Sequence, residues 1–242
     1  MVIPRGTLLN TSTVAVGALI GWAVGQRIPF SYRDVVLDGL GLVVIGIGLK
    51  MFLEARHIFI VAGAIAVGGI LGQLLGIQVG IENFAHWAEG VFHGQHAGHF
   101  TEAIVTTSIL FCVGPVTLLG CLQDAIENKI DLLAIKSTLD GLASIFFAAT
   151  LGPGVLVTAG VVLVFQSILT FSARPLQPLA KDPELLSEVT GVGGVMMIAI
   201  GMSSLLKIVA LPTANYLPAL FLAPLGVYLT RRWPRHARGN LT

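Results

Sequence analysis

The sequence predicts an all-α protein, a polytopic bundle of transmembrane helices. Of its 242 residues 55% are apolar and another 29 are glycine, while only 11% are charged; soluble domains carry about 25% charged residues. The mean hydropathy is +0.86. The apolar runs are continuous rather than alternating, which favours helices over the strands of a membrane barrel. This composition excludes a disordered chain, a coiled coil, a disulfide-stapled secreted domain and an ordinary cytosolic enzyme.

Eight apolar runs define the predicted spans. A helix needs about 20 apolar residues to cross a hydrocarbon core about 30 Å thick. We therefore predict about eight spans in a single transmembrane domain that covers residues 1–242. The runs are 7–25, 35–53, 58–76, 101–122, 134–151, 154–172, 186–206 and 214–230. Helix-breaking prolines fall in several of the connections, at Pro29, Pro153, Pro175, Pro178, Pro183 and Pro212.

The first span carries an amide, Asn10, followed by glycines at Gly17, Gly21 and Gly25. Glycine at every fourth position lets a neighbouring helix approach closely, so we predict that this face packs against another span. The amide of Asn10 has two interpretations. It hydrogen-bonds to a neighbouring helix, as most amides in hydrocarbon do, or it contacts a transported ligand.

Basic residues predict the orientation of the spans. With eight spans, eleven of the 14 Lys and Arg residues fall on or near one side of the membrane. The three on the other side are Arg27, Arg33 and Lys207. Because cytoplasmic loops are enriched in Lys and Arg, we predict that both termini are cytoplasmic.

Two segments outside the spans have their own character. In the stretch 77–100, which this orientation places outside the cell, apolar residues recur at helical spacing. We predict that it is an external amphipathic connection lying on the membrane surface. The segment 231–242 is a basic cytoplasmic tail with an aromatic anchor at Trp233, suited to anionic lipid headgroups.

The fourth span combines a carboxylate with a helix breaker. Glu102 lies near its outer end, where it is solvated or faces a vestibule. Gly114 and Pro115 interrupt the middle of the span. Proline removes a backbone hydrogen bond, so we predict a helix break here, either a plain kink or a break whose exposed carbonyls hold ions.

The fifth span contains Lys136, Asp140 and Ser144 at positions i, i+4 and i+8. This spacing places all three on one helix face, and an ion pair between Lys136 and Asp140 lowers the cost of burying either charge. In the functional interpretation Asp140 binds a cation or carries a proton. In the structural interpretation the pair lies near the cytoplasmic interface and only fixes helix packing.

Two further amides lie in the later spans, Gln166 in the sixth and Asn215 in the last. Each hydrogen-bonds to a neighbouring helix or lines a substrate path. The external histidines His93, His96 and His99 have a spacing that can hold a divalent metal, but Gly94 and Gly98 favour a solvated loop. We therefore predict no metal site.

Two internal similarities suggest an inverted-topology repeat. Leu37-Asp38-Gly39 in the second span recurs as Leu139-Asp140-Gly141 in the fifth, and the glycine pattern of spans two and three recurs in spans seven and eight. An odd number of spans separates the copies, which would invert their orientation, as in many transporters. The alternative is a chance alignment of glycine-rich apolar helices.

Several motifs resemble those of one bacterial family. They are Gly6-Thr7-Leu8-Leu9-Asn10, Phe111-Cys112-Val113-Gly114-Pro115, Lys136-Ser137-Thr138-Leu139-Asp140-Gly141 and Asn215-Tyr216-Leu217-Pro218-Ala219-Leu220. Together they resemble the YdfK/YqgA type of bacterial inner-membrane protein, a domain-of-unknown-function family, from residue 6 to about residue 229. The resemblance implies a multi-pass protein of the bacterial inner (plasma) membrane, often guessed to be a transporter, with no substrate to carry over. The histidine run at 93–99 does not look like a family feature.

The buried polar residues predict a transporter or channel for a small solute or ion. The pathway residues are Asn10, Glu102, Lys136, Asp140, Gln166 and Asn215, with Asp140 as the coupling residue. The expected partners are membrane lipids, the solute or ion and further copies of the chain in a homo-oligomer. The net charge of +1 argues against nucleic acid. The alternative is a structural or regulatory membrane protein.

The sequence also predicts that the protein is not an enzyme and needs no cofactor. It contains no nucleotide-binding loop, serine-hydrolase elbow, zinc-protease motif or Cys–His pattern. The segments outside the spans are too short to form an enzyme domain.

Overall fold

The computed structural model describes residues 4–92, 100–208 and 211–232. Within these ranges the chain is helical apart from short turns and contains no β-strand, which confirms the predicted all-α fold. A π-helical turn (Gly201–Leu205) and a 3-10 turn (Thr213–Tyr216) accompany the α-helices. The helices are α1 (Arg5–Gly25), α2 (Phe30–Leu53), α3 (Ile58–Leu74), α4 (Ile77–Phe92), α5 (Phe100–Cys112), α6 (Pro115–Glu127), α7 (Asp131–Leu151), α8 (Gly154–Phe171), α9 (Ala173–Lys181), α10 (Pro183–Ile200) and α11 (Ala219–Arg232).

The described part of the chain offers five to seven candidate membrane spans, against the predicted number of about eight. Five helices are each long and apolar enough to cross a membrane: α1, α2, α7, α8 and α10 with its π-helical turn. Two bent pairs, α3 with α4 and α5 with α6, raise the number to at most seven. The predicted eighth span corresponds to α11, whose 14 residues rise only about 21 Å, against a hydrocarbon core of about 30 Å. The eighth span is therefore not confirmed.

Large apolar side chains cover much of the outer surface. Phe59 is 93% exposed, and Leu74 and Phe221 are each 77% exposed. In water such a surface would favour aggregation, whereas in a bilayer these side chains contact lipid tails that are equally apolar. The surface therefore agrees with a membrane location.

The helices form two groups. The first contains α1, α5, α6, α7 and α8, with α1 lying against both α7 and α8. In the second group α2 packs on α10, and α3 packs on α11. The short helix α9 contacts α6 and α8 in the first group and α10 in the second. The two groups share one apolar core, to which Ala18 and Phe147 of the first and Val44 and Met196 of the second belong, and the predicted polar residues are divided between them.

The glycines of α1 bring its backbone into contact with α7. A Cβ atom added to Gly17 would lie 2.2 Å from the carbonyl oxygen of Gly141, and one added to Gly21 would lie 2.1 Å from that of Ile145. A real Cβ could not be this close to a carbonyl oxygen, so the two helices approach at a distance that only glycine permits. The predicted packing face of the first span is therefore present, and α7 covers it.

The glycines of α2 are only partly used inside the chain. A Cβ added to Gly48 would lie 2.7 Å from the carbonyl oxygen of Gly194 in α10. A Cβ added to Gly39 or Gly46 would meet no atom of the described residues within 4 Å. Because α7 already occupies the glycine face of α1, any homo-oligomer would have to use other surfaces, and the homo-oligomer stays a prediction.

The two copies of the Leu-Asp-Gly sequence lie in different surroundings. Asp38 and Gly39 on α2 are exposed, whereas Asp140 and Gly141 on α7 are buried against α1. Sequence similarity alone therefore does not place the copies in equivalent positions, and the inverted repeat stays a prediction.

The predicted amphipathic connection contains a helix, α4, that follows α3 after a bend of 55°. Ala85 and Ala88 on its inner face form an apolar cluster with Phe100 and Ile104 of α5, while Trp87 is exposed. This two-sided helix agrees with the predicted amphipathic pattern, and its position on the membrane surface stays a prediction. Residues 93–99 lie outside the described part of the chain.

A charged cluster joins the end of α11 to the start of α10. Arg231 donates hydrogen bonds to Asp182, at 2.5 and 3.0 Å, and also to Glu184. The Nε2 atom of His57, between α2 and α3, lies 2.9 Å from Glu184 Oε1. These contacts place three segments from the predicted cytoplasmic side at one end of the second group. Residues 233–242 of the basic tail lie outside the described part.

This cluster predicts a pH-dependent contribution to stability. Hydrogen bonding from Arg231 lowers the pKa of Asp182 from 3.8 to about 2. A carboxylate with a lowered pKa stabilises the fold above the unfolded-state pKa and loses this effect as the pH falls through the folded-state pKa. We expect Asp182→Asn to lower the unfolding temperature at pH about 6, and the difference from wild type to vanish between pH about 4 and about 2. Thermal unfolding measured across this range, with Asp34→Asn as control, tests the effect; a pH-independent difference would contradict it.

Candidate functional site

The Lys136–Asp140 ion pair lies inside the first helix group. On α7, Lys136 Nζ is 2.9 Å from Asp140 Oδ1 and 2.8 Å from Oδ2. Lys136 is 8% exposed and Asp140 is 6% exposed. The i, i+4 spacing on one turn of helix places the two groups side by side, and burial makes each depend on the other.

Asn10 completes a three-residue network with this pair. Its Nδ2 atom donates a hydrogen bond of 3.0 Å to Asp140 Oδ2. The contact depends on the close α1–α7 approach described above, because α1 carries Asn10 two turns before Gly17. Two residues predicted from distant parts of the sequence therefore meet. Ser144 is buried on the same face of α7 but donates its hydroxyl to the backbone oxygen of Asp140 instead.

Gln166 on α8 faces the same interior. One helical turn further along, the Thr170 hydroxyl lies 3.4 Å from the Thr7 hydroxyl of α1. In the other direction, Val162 belongs to the same apolar cluster as Val14 of α1. Asn10 lies between Thr7 and Val14 along α1. The side chains of Asn10 and Gln166 therefore occupy the same layer of the α1–α8 contact.

The side chain of Gln166 is unusual in having no hydrogen-bond partner in the described part of the chain. It is fully buried, and neither its Oε1 nor its Nε2 atom is paired there. Leaving a buried polar group unpaired costs about 1–3 kcal/mol, and buried amides in native proteins are nearly always hydrogen-bonded to protein or water. The amide therefore marks a place where water, an ion or a solute group is expected.

Helix α6 adds two residues that lie outside the predicted pathway set, Cys121 and Asp124. The Cys121 thiol lies near the hydroxyls of Thr7 and Thr170. Asp124 is buried, and its Oδ2 atom accepts a hydrogen bond of 2.9 Å from the backbone N–H of Gly6 at the start of α1. Asp124 falls just after a predicted span, where a carboxylate is expected to be solvated. Its i, i+3 spacing from Cys121, which lies in an apolar run, is the sequence signal that could have placed Asp124 on a buried helix face.

The predicted helix break lies next to this interior. The helix α5 ends at Cys112, and α6 starts at Pro115 with its axis turned by 58°. Gly114 between them has a φ of 159°. Cys112 belongs to the apolar cluster that contains Val14 and Val162. The break therefore lies one layer away from Asn10 and Gln166.

Asn215 lies elsewhere, in the second helix group. Its Oδ1 atom accepts a hydrogen bond of 2.9 Å from the N–H of Gln78, and its Nδ2 atom donates one of 2.7 Å to Gln73. These contacts bridge the bend between α3 and α4, beside a cavity of about 500 Å³ lined in part by Tyr216. The structure therefore gives Asn215 a role at this bend and does not bring it to Asp140.

Glu102 is also separated from the ion pair. It lies in the first turn of α5, ten residues before Cys112, which corresponds to about 15 Å along the helix. Among the predicted pathway residues, Asn10, Lys136, Asp140 and Gln166 are thus brought together, whereas Glu102 and Asn215 are not.

A second buried carboxylate, Glu188 on α10, was also missed. Its Oε1 atom accepts hydrogen bonds of 2.9 and 2.8 Å from the backbone N–H groups of Arg56 and His57, before the start of α3. This contact ties α10 to the α2–α3 connection. It acts within the second group and has no connection with Asp140.

No cluster of three or more His, Cys, Asp or Glu side chains is placed to hold a metal ion in the described part of the chain. The histidines at 93, 96 and 99 lie outside the described residues. Whether they bind a metal stays a prediction from their spacing.

The fold and the site together define a class: a multi-helix integral membrane protein with an ion pair buried among its helices. Within that class, the chain belongs to the protein family of unknown function DUF554, whose model matches residues 5–228. It is 25% identical to the uncharacterized membrane protein YdfK of Bacillus subtilis over 93% of this chain and 96% of the relative. It is 27% identical to the uncharacterized protein YqgA of Escherichia coli over 90% of this chain and 94% of the relative. No solved structure gives a significant match.

Proposed function

We propose that this protein is a transporter or channel for a small solute or ion, whose path runs through the first helix group. The observation that carries the proposal is the buried Lys136–Asp140 pair with Asn10, beside the unpaired amide of Gln166. Ionisable residues inside a membrane cost roughly 2.5 kcal/mol or more and commonly mark ion or substrate pathways.

The broken helix adds a second argument. Broken helices near the middle of a membrane expose half-helix ends that hold ions or charged substrate groups in many transporters. The α5–α6 break lies one layer from Gln166, and glycine contacts hold α1 firmly against α7. A firm α1–α7 pair beside a broken helix supplies a fixed site and an element that can move.

The proposal includes a location and an orientation. The protein lies in the bacterial inner membrane, with the Arg5 end of α1 and the Arg231 end of α11 on the cytoplasmic side. In support, Arg5 hydrogen-bonds to Asn128 in the α6–α7 connection, so basic segments predicted to be cytoplasmic adjoin one another. We also propose that the protein contacts lipids, forms homo-oligomers, and acts without an enzymatic step or nucleic acid.

A structural or regulatory role is the second candidate. It is favoured by the fact that Lys136 and Asn10 both donate hydrogen bonds to Asp140, as in a contact that fixes helix packing. It does not account for Gln166, whose amide a packing role would be expected to pair.

Replacing Asp140 with Asn tests the proposed function. We expect Asp140→Asn to abolish uptake by reconstituted vesicles of any substrate found by a thermal-shift screen of inorganic ions, amino acids and organic acids. The matched control is Asp38→Asn, which changes the same Leu-Asp-Gly sequence at an exposed position of α2. Size-exclusion profiles establish that both variants are folded. Unchanged uptake by a folded Asp140→Asn variant would contradict the proposal.

A further inference from the structure

We infer that a polar column between α1, α6 and α8 binds one monovalent metal cation of the alkali type. The polar column consists of Thr7, Asn10, Cys121, Asp124, Gln166 and Thr170. This inference specifies the class of ion that the proposed transport path would carry. The claim that the ion is transported rests on the proposed function. Binding itself is independent of transport and is measured separately.

The first argument is the excess of unpaired acceptors. Asn10 Oδ1, Gln166 Oε1 and Asp124 Oδ1 are buried and have no hydrogen-bond partner in the described part of the chain. The only unpaired donor in the column there is Gln166 Nε2. Three acceptor oxygens against one donor favour a positively charged guest over an anion, and water alone would leave the charge of Asp124 without a counter-ion.

The second argument is net charge. The charged groups buried in and beside the column are Asp124, Asp140 and Lys136. Lys136 pairs with Asp140, which leaves one negative charge on Asp124. Arg5 is next to Gly6 in sequence, but its guanidinium is exposed and donates to Asn128, at 3.0 Å to the backbone oxygen and 2.6 Å to Oδ1. The N-terminus of α1, where the Gly6 N–H donates to Asp124 Oδ2, offsets only part of this charge. The single negative charge therefore suits a monovalent cation at the unpaired Oδ1 atom.

The third argument is ligand type. Carboxylate, amide and hydroxyl oxygens are hard ligands, which suit alkali and alkaline-earth cations better than transition metals. A divalent ion would need a second free carboxylate, which the column does not offer.

An apolar layer closes one end of the polar column and so determines from which end a cation enters. Val14, Phe111, Cys112, Ala159 and Val162 form one apolar cluster, which closes the column beyond Asn10 and Gln166. At the opposite end Asp124 contacts the first turn of α1. A cation therefore enters past Asp124, from the end where Arg5 meets the α6–α7 connection, and stops below the apolar layer.

Thermal unfolding of the purified protein in detergent tests the site. The unfolding temperature, followed by tryptophan fluorescence, is measured in sodium, potassium and choline chloride at equal ionic strength and pH. We expect a saturable rise with sodium or potassium over choline, because a ligand of the native state stabilises it. Asp124→Asn should raise the cation concentration at half-effect by at least about tenfold, whereas Asp38→Asn should leave it unchanged.

Gln166→Leu keeps the experiment decisive if Asp124→Asn does not fold. This variant removes the unpaired amide without adding a charge, so it should fold. The concentration of sodium or potassium at half-effect should rise at least about tenfold. Equal unfolding temperatures in all three salts would overturn the inference. An unchanged cation concentration at half-effect in Gln166→Leu would also overturn it.

The two proposals fail in distinguishable ways. A cation-dependent unfolding temperature without any uptake by vesicles would leave the cation site standing and contradict the transport function. Uptake that depends on Asp140, without any effect of alkali cations on unfolding, would support transport and overturn the cation site.

Discussion

Replacing Lys136 with Met is expected to lower the free energy of unfolding by about 3–5 kcal/mol. The side chain is 8% exposed, and its Nζ atom lies within 3 Å of both oxygens of Asp140. Removing it leaves a buried carboxylate whose one remaining side-chain hydrogen bond among the described residues comes from Asn10. Equilibrium unfolding in detergent measures the loss.

A double variant separates this effect from the loss of packing. In Lys136→Met/Asp140→Leu neither charge remains, and replacing a whole buried pair by apolar residues is often neutral or stabilising. We expect the double variant to recover most of the stability that the single variant loses. Lys50→Met, at an exposed position of α2, is the control. A single variant no less stable than this control would show that the pair does not act as a buried unit.

The second large effect is expected from Gly21→Leu. A Cβ atom at this position would lie 2.1 Å from the carbonyl oxygen of Ile145. Because the obstacle is backbone, α1 and α7 would have to separate, and Asn10 would lose its contact with Asp140. We expect a loss of more than about 3 kcal/mol, at the upper end of overpacking effects, seen as a reduced yield of monodisperse protein and a lower unfolding temperature.

The control for this substitution is Gly39→Leu. A Cβ at Gly39 meets no atom of the described residues within 4 Å, so the change should shift stability by less than about 1 kcal/mol. If Gly21→Leu and Gly39→Leu behaved alike, the close approach of α1 and α7 would be refuted.

Local patterns in the sequence predicted the features that depend on neighbouring residues. The i, i+4 spacing on one helix face predicted the contact between Lys136 and Asp140. The glycines at every fourth position of the first span predicted a packing face, and Gly114-Pro115 predicted the position of the bend between α5 and α6. Each of these rests on helix geometry within a single segment, which residue spacing encodes directly.

Features that depend on which helices are neighbours could not be predicted in this way. Asn215 and Gln166 look alike in sequence, as single amides in apolar runs, yet Asn215 is paired across a helix bend whereas Gln166 has no partner among the described residues. Asp124 was missed because its role arises from the N–H of Gly6, 118 positions away in the chain. The eighth predicted span, 214–230, is not confirmed. It was predicted from apolarity alone, whereas the structure divides this run into a 3-10 turn and the 14-residue helix α11.

The reactivity of the two native cysteines tests most directly whether the polar column is an aqueous path. The sequence contains only Cys112 and Cys121, so Cys112→Ser isolates the thiol in the column, and Cys121→Ser isolates the thiol in the apolar layer. The measurement is the rate of labelling by a small cationic thiosulfonate in vesicles of both orientations. A transport path predicts that Cys121 is labelled from the Arg5 side and that Cys112 is not. Labelling of neither thiol until the protein unfolds would contradict it and would identify the buried polar residues as packing contacts.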